Sequence, residues 1–451
     1  MPLFLEKKED ILSWLGDVNT RHCMEVSLCN LSELRDWHYS PDFFYLSHRT
    51  FRYFSIIGLE VNKISKIDVE AWKQPIILQP EIGLLGLAIR RTSSGLQYLV
   101  QAKSEPGNLN SVQISPTIQA TESNIDRVHG QSSIPLADLF LDAPVDCVVY
   151  DALQSEQGGR FFKKRNRNII IDVTTLQDIH FNSDDYAWIS QNEMYSLLHI
   201  NDVVNMDLRS VLSCLPIDYL NLTCSSSPAH HPELDHSFLH SERFILSWLT
   251  RAKISEKLLV QKISLKDITP WLIGHDKIHH PSQNYFQIRG VQCHTKSPNH
   301  YHWYQPIIQP CSPGLIVFFV KEIDGLTYFL VQAKLEAGCF NFSELAPTIQ
   351  CLTGNIDSSK PPKYLNYIDS IEPQRVIYDN YQSEEGGRFY QESNRNMIVR
   401  VQSDFLTQYS NTHIWIAYEQ LKHLSLYGNM VNVQARCLLT VFDSLLFNRG
   451  R

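Results

Sequence analysis

One segment of this chain occurs twice at a constant spacing, and this repetition limits the possible folds more than any other feature. The first copy, QAKSEPGNLNSVQISPTIQATESN, runs from Gln101 to Asn124. The second, QAKLEAGCFNFSELAPTIQCLTGN, runs from Gln332 to Asn355. The first residues of the two copies are 332 − 101 = 231 positions apart, and so are the last. A chain that carries the same polar run twice at fixed spacing is most simply two similar domains in tandem.

Shorter motifs recur in the same order around these copies. ILSWL, WxQPII, QSExGGRF and NRN begin at residues 11, 72, 154 and 166 in the first half, and at 245, 303, 382 and 394 in the second. Because the repetition covers nearly the whole chain, we predict tandem domains at 1–221 and 241–451. The segment between them, 222–240, is rich in Ser, Pro and His and is typical of a linker.

The predicted linker also carries a cluster of histidines that could bind a metal ion. No cysteine lies beside them and no HExxH frame is present, which favours a solvated linker over a metal site. We therefore predict no metal. The histidines are His230, His231, His236 and His240.

Hydrophobic patterns within each half predict an α+β fold. Two apolar runs flank a short polar turn at 84–90 with 96–100, and again at 315–321 with 327–331, which indicates a β-hairpin. We predict a helix over 5–16, and strands over 52–58 and 284–290 that end in turn glycines, Gly58 and Gly290. Each half closes with a tryptophan-bearing strand and a helix that contains VNMDLR or VNVQAR.

Composition and charge limit the class of function. The 451 residues are 43% hydrophobic and 20% charged, which is typical of a folded globular protein. A formal net charge of −8 provides no basic surface for a nucleic-acid backbone. No run approaches the roughly 20 apolar residues of a membrane span, and the ten cysteines have no regular spacing. We expect a cytoplasmic protein with reduced thiols that binds neither nucleic acid nor a membrane.

Polar residues that recur in both copies are the candidates for chemistry, because packing alone does not require the same polar side chains twice. An alternating strand would direct Lys103 and Glu105 to one side, and likewise Lys334 and Glu336. Such a pair either forms a satisfied ion pair or transfers protons on a substrate. The other recurring positions are Thr117, Gln119, Asn124, Gln154, Ser155 and Glu156 in the first half and Thr348, Gln350, Asn355, Gln382, Ser383 and Glu384 in the second.

Two glycine-rich turns also recur. Paired glycines let the backbone approach a ligand, and a guanidinium beside them suits a diphosphate; the alternative is an ordinary loop with a surface arginine. A recurring tryptophan, Trp72 or Trp303, either stacks on a base or sugar or belongs to the core. No GxSxG, P-loop or GxGxxG motif is present. The turns are Gly158, Gly159 and Arg160, and Gly386, Gly387 and Arg388.

Together these motifs resemble the NDP-hexose 2,3-dehydratases of deoxysugar biosynthesis. The resemblance is carried by QAKSEPGN, SPTIQATESN, LQSEQGGRFFKKRNRN and VNMDLR in the first half and by QAK, LAPTIQC, YQSEEGGRF and NRN in the second. It covers nearly the whole chain. It implies two tandem, duplicated Nudix-like domains, each a mixed sheet with flanking helices, and a homodimer. The Nudix hydrolase box with its metal-binding glutamates is absent.

The resemblance also implies a reaction. The substrate would be dTDP-4-keto-6-deoxy-D-glucose, which loses water across C2 and C3 to give a 3,4-diketo-2,6-dideoxy sugar nucleotide. The C4 ketone is the electron sink, so no cofactor is implied. The unstable product would pass to a 3-ketoreductase or an aminotransferase. A non-catalytic nucleotide-sugar binding protein with two pockets is the alternative.

Roles for the recurring residues follow from this hypothesis. The proton-transferring group is one of Glu105 and Glu156 in a first pocket, or one of Glu336 and Glu384 in a second. The C4 oxygen would be polarised by Lys103 or Lys334. The sequence leaves open which pocket is catalytic. The diphosphate would be held by Arg160 and Arg388 with Arg167 and Arg395, and the stacking residue would be Trp72 or Trp303.

Overall fold

The fold is described from a computed structural model. The structure describes residues 3–65, 69–121, 124, 134–176, 179, 184–220, 238–295, 301–356, 359–405 and 408–449. We call the part up to 220 the first half and the part from 238 the second half. Most of the predicted linker, including His230, His231 and His236, lies outside the described residues. His240 stacks on Phe244 with ring centroids 4.8 Å apart.

Helices and strands alternate in a similar order in the two halves. The helices are α1 (Lys8–His22), α2 (Ala137–Leu141), α3 (Gln191–Leu197), α4 (Met206–Leu212), α5 (Glu242–Ser255), α6 (Leu365–Asp369), α7 (Tyr418–Ser425) and α8 (Val433–Arg449). The strands of the first half are β1 (Leu3–Leu5), β2 (Met24–Cys29), β3 (Trp37–Tyr39), β4 (Tyr45–His48), β5 (Ser55–Ser65), β6 (Val69–Leu78), β7 (Gly83–Thr92), β8 (Gly95–Ser104), β9 (Val112–Ser115), β10 (Ile118–Thr121), β11 (Val148–Ser155), β12 (Arg165–Asp172) and β13 (Tyr186–Ser190). Those of the second half are β14 (Glu256–Ile263), β15 (Leu272–Ile273), β16 (Lys277–His279), β17 (Phe286–Thr295), β18 (His302–Pro310), β19 (Gly314–Ile323), β20 (Leu326–Leu335), β21 (Ser343–Ala346), β22 (Ile349–Leu352), β23 (Val376–Ser383), β24 (Ser393–Arg400) and β25 (His413–Ala417).

Each half contains a large mixed sheet with the same central order. In the first half the strands run β1-β13-β8-β7-β12-β11, with β10 also paired to β7 and β9 to β8. In the second half β25 pairs with β20, and the order continues as β19-β24-β23, with β22 also on β19 and β21 on β20. One central pair is parallel in each sheet, β7 with β12 and β19 with β24. The predicted α+β class and the hairpins β7–β8 and β19–β20 are confirmed.

The two halves exchange a strand in each direction. Strand β14 of the second half pairs with β5 of the first along its whole length. Strand β2 of the first half pairs with β17 of the second. Each exchanged strand completes a smaller five-stranded sheet in the opposite half. The halves are therefore joined by backbone hydrogen bonds as well as by side chains.

The prediction that Gly58 and Gly290 end their strands in turns is wrong. Both glycines lie inside long strands, β5 and β17. A Cβ atom at Gly58 would lie 2.7 Å from Cγ2 of Ile268 and 2.9 Å from the carbonyl oxygen of Ile263, both in the second half. At Gly290 it would lie 2.9 Å from Sγ of Cys29 in the first half. The glycines are needed because the chain of the other half approaches there, and not because the backbone turns.

Helix α1 begins later than predicted and also ends later. It extends further because the apolar stripe of Ile11, Trp14 and Leu15 continues to the buried Val18. Residues 3–5, partly assigned to this helix from the sequence, form strand β1. The indole N–H of Trp14 donates to the carbonyl of Asp184 at 2.8 Å, which anchors α1 to its own half. Among the described residues, no helix is long and apolar enough to cross a membrane.

Candidate active site

The loop after QAK in each half is hydrogen-bonded to the glycine-rich turn of the other half. The amide of Gly107 donates to the carbonyl of Gly386 at 2.7 Å, and the amide of Gln391 donates to the carbonyl of Gly107 at 2.8 Å. The opposite contact repeats this geometry, with the amide of Gly338 donating to the carbonyl of Gly158 at 2.7 Å. The repeated motifs therefore combine across the halves and form two composite sites, which we call the first site (QAK of the first half) and the second site (QAK of the second half).

The first site opens into a cavity of about 560 Å³, a size suited to a small-molecule ligand. Strand β8 and its following loop line the cavity from the first half, and the turn at 385–388 with the strand at 302–305 lines it from the second half. The residues of the first half that carry charge or amides at the cavity include Lys103, Glu105, Gln119, Asn124, Glu156, Lys164, Asn166 and Asp207. The second half adds Trp303, Gln305, Glu385, Gly387 and Arg388.

Lys103 and Glu105 form an ion pair at the wall of this cavity. The ammonium of Lys103 lies 3.5 Å from Oε1 of Glu105 and donates to the carbonyl of Gln119 at 2.8 Å. The side-chain amide of Gln119 donates to the same carboxylate oxygen at 3.0 Å. The amide of Asn205 in turn donates to the side-chain oxygen of Gln119 at 2.9 Å. Because each group is held by a neighbour, the Lys–Glu pair has a fixed orientation toward the cavity.

Three further carboxyl groups, Glu156, Asp207 and Glu385, line the same cavity. One oxygen of each is buried and has no hydrogen-bond partner among the described residues. Burial raises the pKa of Glu156, and it raises the pKa of Glu385 to about 7. Burial and the neighbouring carboxylates raise the pKa of Asp207 well above its usual range. These surroundings favour the protonated form of Asp207 over its carboxylate.

Cationic and aromatic groups occupy the part of the cavity near the glycine-rich turn. The guanidinium of Arg388 lies 4.3 Å from the ring centroid of Phe54, and its Nε is buried without a partner among the described residues. The indole of Trp303 donates to Gln305 at 3.1 Å, and the amide of Gln305 donates to the carbonyl of Gly387 at 2.8 Å. The aromatic side chain is therefore fixed to the turn that carries the arginine.

The second site has the same framework with different side chains. Lys334 donates to the carbonyl of Gln350 at 3.1 Å, as Lys103 does to that of Gln119. Residues 228 positions apart in the QSE segments (382 − 154 = 228) are equivalent, so Gln157 corresponds to Glu385 and Glu392 to Lys164. The amide of Gln157 donates to Oε2 of Glu384 at 2.6 Å. The second site has thus gained a carboxylate where the first has an ammonium, and an amide where the first has a carboxyl group.

Several predicted residues lie away from the cavity and hold the fold together. Thr117 and Thr348 are buried, and each hydroxyl accepts from a backbone amide, of Ala88 and Phe319, at 2.9 Å. Each hydroxyl is used within the sheet, and the predicted role of these residues in substrate binding stays a prediction. Arg167 and Arg395 make bidentate pairs with aspartates on the neighbouring strand, Asp151 and Asp379, at 2.6 and 2.8 Å.

The recurring Gln and Ser of QSE join the two halves instead of facing the cavity. The amide of Gln154 donates to the carbonyl of Ser425 at 2.8 Å, and that of Gln382 to the carbonyl of Leu198 at 3.0 Å. Ser155 donates to Glu344 at 2.7 Å, and Ser383 accepts from Gln113 at 3.0 Å. These four buried side chains are structural contacts.

The other predicted residues divide between the two sites. Asn124 lines the first cavity, whereas Asn355 is an exposed residue on a short 3₁₀ turn. Arg160 stacks on Phe286, with its guanidinium 4.3 Å from the ring centroid. Trp72 packs in an apolar cluster that includes Ala337 of the second QAK loop. With Gly158, Gly159, Glu336, Gln350 and Glu384, the residues Arg160 and Trp72 belong to the second site.

Sequence reasoning missed Lys164, Asp207 and Glu385, which all line the first cavity. Each of these residues differs from its counterpart in the other half. Because the candidates were polar residues shared by both halves, these three were not among them. A comparison that looked for charge differences within otherwise identical motifs would have found them. Among the described residues, no group of three or more His, Cys, Asp or Glu side chains is arranged to hold a metal ion.

The geometry defines an acid–base site for a polar small molecule, and comparison with known proteins gives its family. The profile of the family described as NDP-hexose 2,3-dehydratase matches residues 8–215 and 242–442. The chain belongs to the NDP-hexose 2,3-dehydratase family, which confirms the resemblance found in its motifs.

Named relatives match over nearly their full length. A Streptomyces violaceoruber protein named dTDP-4-dehydro-6-deoxy-alpha-D-glucopyranose 2,3-dehydratase is 38% identical over 96% of each chain. Proteins of the same name from Amycolatopsis orientalis and Saccharopolyspora spinosa are 33% and 34% identical over 97% and 96% of this chain and 90% of theirs. The crystal structure of an ADP compounds hydrolase covers 37% of this chain and 87% of its own at 11% identity, with a TM-score of 0.23, too low to support an argument.

Proposed function

We propose that the first site removes water from C2 and C3 of dTDP-4-keto-6-deoxy-D-glucose and releases a 3,4-diketo-2,6-dideoxy sugar nucleotide. The observation that carries this proposal is the oriented Lys103–Glu105 pair on the wall of the cavity. Dehydration next to a ketone needs a base for the hydrogen on C3, a cation or donor for the oxygen on C4, and an acid for the hydroxyl on C2. The cavity contains groups of all three kinds.

The contacts of the cavity suggest how the substrate lies in it. Trp303 offers an aromatic face to the nucleobase of the substrate. Arg388 beside it offers an unpaired Nε and a planar guanidinium group to the diphosphate. The sugar then reaches Glu105, because the Gly386–Gly387 turn that carries Arg388 packs directly on that carboxylate. In this arrangement the nucleobase and the diphosphate bind to the second half, while the sugar lies against Glu105 of the first half.

Glu105 is the proposed base. Its carboxylate is paired with the ammonium of Lys103, whereas burial raises the pKa of Glu156 against the opposing charge of Lys164. Lys103, 3.5 Å from that carboxylate, is placed to polarise the C4 oxygen and stabilise the enolate that forms when C3 loses its hydrogen. The ketone supplies the electron sink, so the proposal needs no added cofactor.

A matched pair of variants tests the proposal. Glu105→Gln in the first site and Glu336→Gln in the second make the same change on equivalent residues. With the 4-keto sugar nucleotide, a 3-ketoreductase and NADPH, we expect Glu105→Gln to lower the rate of 2,6-dideoxy product formation by at least about 100-fold, and Glu336→Gln to retain it. Equal loss in both variants, or full rate in Glu105→Gln, would contradict the assignment. Tight binding of the sugar nucleotide without turnover by the unmodified protein would make it a binding protein.

Three broader features belong to the same proposal. Each half would be a Nudix-like domain, 1–221 and 241–451, on the basis of the repeated motifs and the matching sheet order. The chain would act as a cytoplasmic homodimer, which sedimentation at several concentrations tests. Its product would be consumed by a 3-ketoreductase or an aminotransferase, because an α-diketone next to an acidic CH₂ group is unstable.

A further inference from the structure

We infer that Glu385, contributed by the second half, is the catalytic acid that protonates the departing C2 hydroxyl in the first site. This inference rests on the proposed function. Glu385 belongs to the glycine-rich turn, whereas the proposed base, Glu105, belongs to the loop after QAK in the other half. The acid and the base would therefore reach the same sugar from opposite halves of the chain.

The geometry brings the two carboxyl groups together. A Cβ atom built at Gly387 would lie 2.4 Å from Oε1 of Glu385 and 3.5 Å from Oε1 of Glu105. The two oxygens are therefore no farther apart than the sum of those distances. Carboxyl groups at such a separation can flank adjacent ring carbons, one at the hydrogen on C3 and the other at the oxygen on C2. Because Gly387 has no side chain, space remains between the two carboxyl groups.

The two carboxyl groups have different surroundings. Glu105 is paired with the ammonium of Lys103. Burial, with the charges of Glu105 and Glu156, raises the pKa of Glu385 to about 7 against the opposing charges of Arg388 and Lys164. Its Oε2 is buried and has no partner among the described residues. A carboxylate paired with a cation and a carboxyl group of raised pKa in one cavity match the roles of base and acid.

The second site lacks this acid. Gln157 stands at the equivalent position, and its amide is already donated to Glu384 at 2.6 Å. An amide cannot transfer a proton in this pH range. The second site therefore keeps a lysine and a glutamate, Lys334 and Glu336, but has lost the group that would release the hydroxyl. This difference favours the first site as the site of turnover.

The proposed steps balance in protons and electrons. Glu105 takes the hydrogen from C3, and the electrons of that bond form the enolate at C3 and C4. The electrons then return to form the C2–C3 double bond as the C2–O bond breaks, and the oxygen leaves as water with the proton of Glu385. The enol next loses its proton at the C3 oxygen to Glu385 and gains one at C2 from Glu105. Both residues end in their starting states.

Separate assays of the two half-reactions test this assignment. In D₂O, exchange of the hydrogen on C3 reports the base, and release of the 2,6-dideoxy product through the coupled reductase reports the complete elimination. For Glu385→Gln we expect product formation to fall by at least about 100-fold while exchange at C3 continues. A sample without protein measures spontaneous exchange. The matched control is Glu392→Gln, a buried glutamate with an unpartnered oxygen at the second site, which we expect to keep both rates.

The possible outcomes separate the two proposals. If Glu385→Gln loses exchange and product formation together, Glu385 acts on C3 or only positions the site, and the inference is wrong. If the variant keeps product formation, Glu385 is not the acid. If the unmodified protein neither exchanges nor eliminates, the proposed function itself fails. Should Glu385→Gln not fold, Glu385→Asp is the second variant, because it retains a carboxyl group. In the unmodified protein, the rate of product formation should fall as the pH rises through about 7. A rate that does not fall there would also overturn the inference.

Discussion

Lys164 and Glu392 occupy equivalent positions in the two halves, where one half has a buried amine and the other a buried carboxyl group. The side-chain amine of Lys164 donates to Asn166 at 3.0 Å, and its charge opposes the rise that burial causes in the pKa of the neighbouring Glu156. Glu392 is buried beside Glu384 and raises the pKa of that group instead. The first site therefore has a cationic group to offset the negative charge of an enolate or a diphosphate, whereas the second has a buried carboxyl group at the equivalent position.

Removal of the Lys164 charge should disable the first site. We expect Lys164→Met to lower kcat/KM for dehydration by about 100-fold, because the buried Glu156 loses its compensating cation. The control, Glu392→Gln, changes the equivalent position and should keep the rate. Circular dichroism and the thermal midpoint establish that both variants are folded. An equal effect of the two variants would mean that the charge difference has no catalytic role.

The two buried threonines should matter for stability and not for substrate affinity. Thr117→Val and Thr348→Val each leave a backbone amide, of Ala88 or Phe319, without its acceptor. We expect each to lower the free energy of unfolding by about 1–3 kcal/mol, with KM unchanged. Urea unfolding and steady-state kinetics measure the two quantities. If KM rises in Thr117→Val and not in Thr348→Val, Thr117 contributes to substrate binding and the prediction is wrong.

The two tryptophans should differ in their effect on substrate affinity. Trp303 lines the first cavity, whereas Trp72 packs on the loop of the second site. Because stacking of a base on an aromatic ring is worth about 1–3 kcal/mol, Trp303→Leu should raise KM about 10-fold or more. Trp72→Leu should lower stability and leave KM unchanged. Calorimetric titration with dTDP checks the same difference without turnover.

Glu384 should make stability depend on pH in a direction that follows from its protonation. Burial raises its pKa from 4.5 to about 7, so the folded protein holds a proton that the unfolded chain has lost. Its contribution is full below pH 4.5 and is lost as the pH rises through about 7. Glu384→Gln cannot titrate, so its stability relative to the wild type should increase over this window, by at most about 1.4 kcal/mol per pH unit. Urea unfolding at pH 5, 6, 7 and 8 measures this, and a constant difference would contradict it.

The sequence predicted those parts of the fold that depend on local patterns. Apolar runs on either side of a polar turn located the hairpins that lead into Gln101 and Gln332, and the closing helices α4 and α8 lie at the predicted motifs. The strand exchange could not be predicted in this way. Periodicity shows that 24–29 or 256–263 is able to form a strand, but not which sheet edge it pairs with. Gly58 and Gly290 were misread for this reason, since their close neighbours come from the other half.

The candidate site was predicted in part, because residues shared by the two halves serve two purposes. Lys103, Glu105, Trp303 and Arg388 line the first cavity. Others, such as Gln154, recur because the contact between halves is made twice, once in each direction. Shared identity therefore marks the symmetry of the assembly as well as its chemistry. The residues that make the first site different are those that the two halves do not share.

The composite construction of the sites has a consequence for how such a protein can change. In a dimer of identical subunits, every substitution is installed at both sites at once, so a change that harms one site harms the other. Here both partners are segments of one polypeptide, and positions 164 and 392 are encoded separately. One site can therefore accumulate changes such as Glu392 and Gln157 without altering the residues of the other. The covalent link between the halves is what permits them to become unequal.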